Sequence, residues 1–218
     1  MKNEILKTNL LGARIISNIS PGLAKSLKLE SRYKSLGIIT ADCDDVTYTA
    51  LDEATKAADV AVVYAKSMYA GAGNASTKLA GEVIGILGGP SPAEVKSGLK
   101  AAINFLKNGS SFISANDDNS IVYYAYTVSR TGSYLSSISG IPEGEPLAYL
   151  VAPPLEAIYG LDAAMKAADV ELVSLFEPPS ETNFGGGLLT GTQSACLAAC
   201  SAFSEAVKTI ADNPQIYE

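Results

Sequence analysis

Leu51-Asp52-Glu53-Ala54-Thr55-Lys56-Ala57-Ala58-Asp59-Val60 returns 110 residues later as Leu161-Asp162-Ala163-Ala164-Met165-Lys166-Ala167-Ala168-Asp169-Val170. The offset is about half of the 218-residue chain. Two copies of one small unit are joined head to tail, and a duplication has to be read before any single motif. The division expected is 1–110 and 111–218. A chain with its own pseudo-symmetry can close a ring with half the usual number of subunits.

Working outward from each copy gives the same order of elements. Ala13 to Ile19 and Leu36 to Ala41 are β-rich, with a short Pro-led helix from Pro21 to Leu29 between them. Asp42-Cys43-Asp44-Asp45 opens a helix whose Val46, Ala50, Ala54 and Ala57 form an apolar stripe, and Val60 to Tyr64 is an apolar strand. A small-residue loop, Ser67 to Thr77, precedes a strand from Gly81 to Leu87. Ser91, Pro92 and Glu94 then read as a capping box with Pro at the first helical position. In the second copy Leu147 to Val151, Val170 to Phe176 and Leu188 to Gly191 read as strands, and Pro153 to Ala168 and Gln193 to Ile210 as helices. The loop Glu177 to Gly187 stands where 67–77 stands in the first. The connector, about 110–145, reads as strands and turns. The fold class is α/β (α+β): two small, mostly antiparallel, ferredoxin-like sheets covered by helices.

Composition removes several functions. With no His anywhere, Ser-His-Asp and Cys-His nucleophiles, imidazole acid–base chemistry and most zinc hydrolase schemes are excluded. A net charge of −7 without a Lys/Arg run disfavours nucleic acid and suits a surface or pore that gathers small cations. No apolar run is long enough to span a membrane. Residues 1–20 carry Lys2, Glu4, Lys7 and Arg14, so no secretory signal is expected there. Three cysteines, Cys43, Cys196 and Cys200, form no disulfide framework and fit a reducing cytoplasm. Cys196 and Cys200 read as core thiols rather than a metal pair. Gly88-Gly89-Pro90 reads as a turn before a capped helix rather than a phosphate loop, because Pro90 and Pro92 lack backbone donors.

Four runs carry a family likeness: Ser35 to Tyr48 (SLGIITADCDDVTY), Gly88 to Val95 (GGPSPAEV), Val128 to Ser137 (VSRTGSYLSS) and Ala148 to Ala157 (AYLVAPPLEA). They resemble the tandem-domain shell proteins of ethanolamine-utilisation bacterial microcompartments, in register over essentially the whole chain. The resemblance implies two tandem, circularly permuted bacterial-microcompartment (BMC) domains and a homotrimeric pseudohexamer. That disc would tile with other shell proteins in the cytoplasm around a cobalamin-dependent ammonia-lyase. It further implies a gated central pore and a smaller pore in each subunit, with no catalysis and no required cofactor. Cobalamin, the enclosed enzyme's cofactor, has to cross the shell, so a binding face for it here is a further expectation.

Three carboxylates in four positions exceed what one helix cap needs, and crowded carboxylates draw an ammonium group. Asp44 reads first as a cap or dipole partner of its helix. The resemblance puts ethanolamine as pore ligand on the acidic region, with Asp44, Asp45 and Glu82 binding and Phe112 as wall. Against this stand a solvated charge for Glu82 and a core aromatic for Phe112. The two small-residue loops read by themselves as ordinary flexible hairpins, and the resemblance puts the gate in them, at Ser67, Tyr69, Gly71, Gly73 and Asn74 and at Thr182, Asn183, Phe184, Gly185 and Gly186. Arg130 and Tyr134 read as interface anchors or as partners within the chain, and Lys56 and Lys166 as matching surface charges. A small-molecule-binding regulator built from duplicated ferredoxin-like units is the rival reading, and an enzyme the third.

Overall fold

A computed structural model of the chain describes residues 1–67, 82–178, 180 and 182–215. The elements of the first half are β1 (Ile5–Leu6), β2 (Leu10–Ile16), α1 (Pro21–Ser26), β3 (Ser35–Ala41), α2 (Asp44–Ala57), β4 (Ala61–Ser67), β5 (Val83–Gly89) and α3 (Pro92–Asn108). Then follow β6 (Phe112–Ser114), β7 (Val122–Val128), α4 (Ser133–Ser139), β8 (Leu147–Ala152), α5 (Pro154–Ala167), β9 (Val170–Phe176), β10 (Gly185–Gly191) and α6 (Gln193–Asp212).

The chain forms two compact units, and their boundaries differ from a cut at 110/111. The first-half unit is Lys7–Ser110 together with Gly132–Leu135, and the second-half unit is Met1–Leu6, Ser111–Thr131 and Ser136–Glu218. Both exchanges have a local cause. The N-terminal β1 pairs antiparallel with β6, Ile5 opposite Ile113, and so belongs to the second-half sheet. Residues 132–135 are held by α2 through buried hydrogen bonds described below.

In the first-half unit an antiparallel sheet runs β2-β3-β5-β4. Helices α2 and α3 pack on it and on each other, burying Val46, Leu51, Val95, Leu99 and Leu106. Gly37 of β3 has no side chain because a Cβ there would come within 2.7 Å of Val95 Cγ1. Ile19, Leu36 and Ile86 form a second cluster with Ala24 and Leu27. α3 starts as its sequence requires: Ser91 accepts the Glu94 N–H and Pro occupies the first turn. The capping box does not close, however, because the Glu94 carboxylate accepts from Asp59 N at 2.9 Å instead.

The second-half unit repeats this plan and extends it, with strand order β1-β6-β7-β8-β10-β9. Its core gathers Tyr123, Leu150, Leu161, Leu189, Phe203 and Val207 between sheet and helices. Fully burying a side chain such as Phe203 contributes roughly 1.5–3 kcal/mol. The connector holds more than strands and turns: residues 133–139 are helical. Strand β10 begins at Gly185 rather than Leu188, with Gly185 opposite Ala152 and Gly186 opposite Val151. Gly185 and Gly186 are therefore ladder residues of β10 rather than residues of a free loop. At Gly186 a Cβ would stand 2.0 Å from Leu150 O, so the neighbouring backbone itself demands glycine.

The buried centre of the first-half unit is a carboxylate. Asp52, with a side chain 0% exposed, accepts Gly132 N at 2.7 Å and Leu135 N at 2.8 Å. Lys56 Nζ stands 3.5 Å away. Thr55 Oγ1 accepts Ser133 N at 3.1 Å, and Tyr134 packs its ring 6.1 Å from Tyr48. A Cβ at Gly132 would meet Thr55 Oγ1 at 2.3 Å. Burial pushes the Asp52 carboxyl above its usual range, and the two N–H donors and Lys56 oppose that shift. Lys56 is thus mostly buried, whereas its repeat partner Lys166 is a surface charge (15% against 74% exposed).

Two outcomes are expected. Asp52→Asn removes an acceptor and faces an amide N–H₂ toward a backbone N–H, which lowers stability in urea unfolding by about 1–3 kcal/mol. Gly186→Ala forces β8 and β10 apart and costs about 1–3 kcal/mol or more. Retention of wild-type unfolding midpoints by either variant would contradict these packing arguments.

Candidate functional site: an acidic edge on the first-half sheet

Four element ends meet at one edge of the first-half sheet. β3 ends at Ala41, α2 starts at Asp44, β4 ends at Ser67 and β5 starts at Val83. Ala41 and Ser67 both pair with Val83, and Glu82 N donates to Ala41 O at 2.9 Å. This register carries Asp42, Asp44 and Glu82 into one electrostatic neighbourhood.

The carboxylates differ in what holds them. Asp42 takes Asn9 N and Asn9 Nδ2, both at 2.7 Å, and so ties the segment before β2 to the end of β3. Asp44 accepts Asp45 N at 2.9 Å and the hydroxyl of Ser67. It serves the helix start from one position inside the helix, since the N-cap residue Cys43 makes no side-chain capping bond. Asp44 and Asp45 both lie in the first turn of α2, where the helix dipole favours negative charge. Ser67, read from sequence as a loop residue, is buried as the last residue of β4.

Glu82 carries the strain of this crowding. Burial first, then the charges of Asp44 and Asp42, push its carboxyl above the usual range. Its folded state favours protonation, so this contribution to stability is present below the ordinary glutamate value of 4.5. It is lost as pH rises through the raised one. Burial, with the Asp45 charge behind it, pushes the Cys43 thiol far up, which leaves it neither a thiolate nucleophile nor a ready metal ligand. Among the described residues, no group of three or more Cys, Asp and Glu is arranged to hold a metal ion. The edge concentrates negative charge, with the Ser67 hydroxyl and the Asn9 amide turned onto two of its carboxylates.

Phe112 belongs to the other compact unit. There its ring stacks on Tyr124 at 5.4 Å and meets Phe184 edge-on at 5.8 Å. It is one member of an aromatic row that continues through Tyr149 to Phe176. In the second loop, Ser180 N donates to Phe184 O, Thr182 N to Ser180 Oγ and Phe184 N to Thr182 Oγ1. Thr182 and the exposed Asn183 therefore sit on a turn organised by its own polar groups. Tyr69, Gly71, Gly73 and Asn74 lie outside the described residues. Tyr134 is engaged within its unit by Tyr48. The sequence reading missed two members of this architecture. Asn9 had no pattern to mark it, and Asp52 stood inside the repeat, where its match to Asp162 hid the difference in their surroundings.

On the acidic edge, Glu82→Gln is expected to raise stability at neutral pH and to flatten the dependence on pH just above the ordinary glutamate range. A loss of stability, measured by thermal unfolding between acid and neutral pH, would show that Glu82 is not repelled by its neighbours.

The BMC domain model matches residues 35–117, a window that includes the whole acidic edge. The bacterial microcompartment shell protein EutL of Clostridium perfringens is 71% identical over 214 residues, covering 98% of this chain and 99% of that one. EutL of Salmonella typhimurium is 54% identical over 211 residues, with 97% and 96% coverage. The crystal structure of ethanolamine utilization protein EutL from Leptotrichia buccalis superposes with a TM-score of 0.97 at 67% identity over 100% of both chains. Identity of this depth, spanning both halves of the duplication, means that the chain belongs to the EutL family of bacterial microcompartment shell proteins.

Proposed function

We propose that this chain is a structural component of the shell of an ethanolamine-utilisation microcompartment in the bacterial cytoplasm. It assembles there as a homotrimeric pseudohexamer beside other shell proteins. Its role is that of a selective wall and not of an enzyme. The acidic edge is proposed to draw in ethanolamine, whose ammonium group is charged near neutral pH. The observation that carries this is the raised carboxyl of Glu82 among Asp42 and Asp44. Like charges held together by the fold are relieved by a bound cation, so binding strengthens where repulsion is greatest. Asp42 and Asp44 hold Asn9, Ser67 and the Asp45 N–H, and the proposed amine partners are Glu82, beside them, and Asp45, in the first turn of α2. A gated central pore belongs to the same reading, its described candidates being Ser67 at the end of β4 and Thr182, Asn183 and Phe184 of the turn before β10.

Isothermal titration of the assembled protein with ethanolamine tests the site. Asp45→Ala is expected to abolish binding while the sedimentation coefficient of the assembly stays that of the wild type. Affinity is expected to fall as pH drops through the raised Glu82 value, because a protonated carboxyl no longer attracts the cation. In Glu82→Gln that dependence disappears along with most of the affinity. Unchanged affinity in Asp45→Ala, or wild-type binding that ignores pH across the acid range, would remove the proposal.

A further inference from the structure

The repeated decapeptides end on an aspartate and a valine that lead into β4 and β9, and the two units use that corner differently. In the first-half unit an aromatic residue fills it. Tyr33 is 6% exposed. Its ring lies against Gly88, where a Cβ would come within 3.1 Å of Tyr33 Cγ and 2.7 Å of Val63 Cγ1. Arg32 stacks over that ring with Cζ 4.7 Å from the centroid and donates to Tyr33 Oη at 2.9 Å. It also reaches Asp59, Nη1 to Oδ1 at 3.3 Å. Ring, guanidinium and carboxylate together close this end of the sheet.

The second-half unit keeps the frame and lacks the filling. Asp169, Val170 and Val173 repeat Asp59, Val60 and Val63 at the spacing of 110. Gly89 lies against Asp59 O and Gly191 against Asp169 O. Thr190 therefore stands where Gly88 stands, and it pairs with Glu171 as Gly88 pairs with Ala61. Gly144-Glu145-Pro146 precede β8 as Arg32-Tyr33-Lys34 precede β3, and they carry neither ring nor cation. A groove of about 580 Å³ is left. Val170, Val173 and Thr190 line its half-buried floor, and Glu145, Asp169 and Glu171 its exposed rim. Arg130 passes Gly144 without lining the groove. None of the three carboxylates has an ion pair among the described residues.

We propose that this groove docks an extended segment of another protein in which an arginine stands next to an aromatic residue. The ring lies on Val173 and Thr190 as Tyr33 lies on Val63 and Gly88. The guanidinium reaches Asp169 as Arg32 reaches Asp59. Arginine is required rather than lysine, because a planar guanidinium stacks on a ring and binds a carboxylate at once. The occupant is not this chain: Arg stands next to an aromatic residue in it at Arg32-Tyr33 alone, and that pair is engaged in the first-half unit. Charge favours the same partner. Residues 111–218 hold 13 Asp and Glu against 3 Lys and Arg, a field that steers a basic segment toward the rim.

The probe is a labelled, end-capped peptide copying Glu30 to Ser35 (ESRYKS), titrated by fluorescence anisotropy into the full-length protein. Saturable binding is expected. Tyr33→Ala in the peptide is expected to weaken it roughly tenfold or more, as for an aromatic anchor, and Arg32→Lys in the peptide to weaken it as well. In the protein, Asp169→Asn at the exposed rim is expected to weaken binding roughly twofold to fivefold, as for an exposed ion pair. Asp59→Asn is expected to leave binding unchanged, because its corner is already filled. No binding at about 1 mM peptide, the weak end of specific recognition, would overturn the proposal. So would binding that ignores both peptide changes, or that ignores Asp169→Asn. A peptide that lowers the sedimentation coefficient of the protein as it binds would show the groove to be a contact between copies of this chain, and would overturn the proposal equally.

Discussion

The first-half unit is organised around a carboxylate that water does not reach. A buried charge is costly unless its lone pairs are met. Asp52 meets them with the N–H groups of Gly132 and Leu135 and with Lys56. Those bonds bring a segment that lies far along the sequence into the unit and fix the start of α4. They also explain why residue 132 is glycine, since the same close approach leaves no room for a Cβ beside Thr55 Oγ1. Asp162, with the same Leu before it and a Lys four residues on, sits at the surface paired to that lysine. Nearly identical decapeptides therefore place the same aspartate and lysine inside one unit and on the surface of the other. What separates them is the presence of a covering segment, not the helix itself.

The acidic edge follows from the same economy of connections. Two strand ends, one strand start and a helix start converge there because β3 and β4 flank β5 and α2 leaves directly from β3. The turn from β3 into α2 contributes Asp42, Asp44 and Asp45 and the residue before β5 contributes Glu82, and the helix dipole favours those in the first turn of α2. Two of the four acids fasten the turns themselves, through Asn9 and Ser67.

Much of this was legible in the sequence. The decapeptide repeat announced the duplication, Ser91-Pro92 marked the start of α3, and the apolar run Val60 to Tyr64 marked a strand, although β4 lies at the edge of its sheet and not at the centre that such a run suggests. The failures have physical causes. Gly185 to Gly187 look like loop residues, yet they form a strand because a Cβ at Gly186 would strike Leu150 O; glycine there reports crowding and not freedom. Glu94 had the spacing of a capping box but found Asp59 N instead, a partner no local pattern reveals. Helix α4 was read as turns because Thr131-Gly132-Ser133 looks like a breaker, whereas its start is supported by Asp52, about eighty residues earlier. Periodicity carries information about faces, and it carries none about which distant segment will cover them.

The central claim is that a buried carboxylate, and not the helix around it, holds residues 132–135 in the first-half unit. Amide hydrogen exchange followed residue by residue in the wild type and in Asp52→Ala tests it most directly. The account predicts slow exchange at Gly132 and Leu135 in the wild type and loss of that protection in the variant. Protection at both amides that survives the substitution would contradict it.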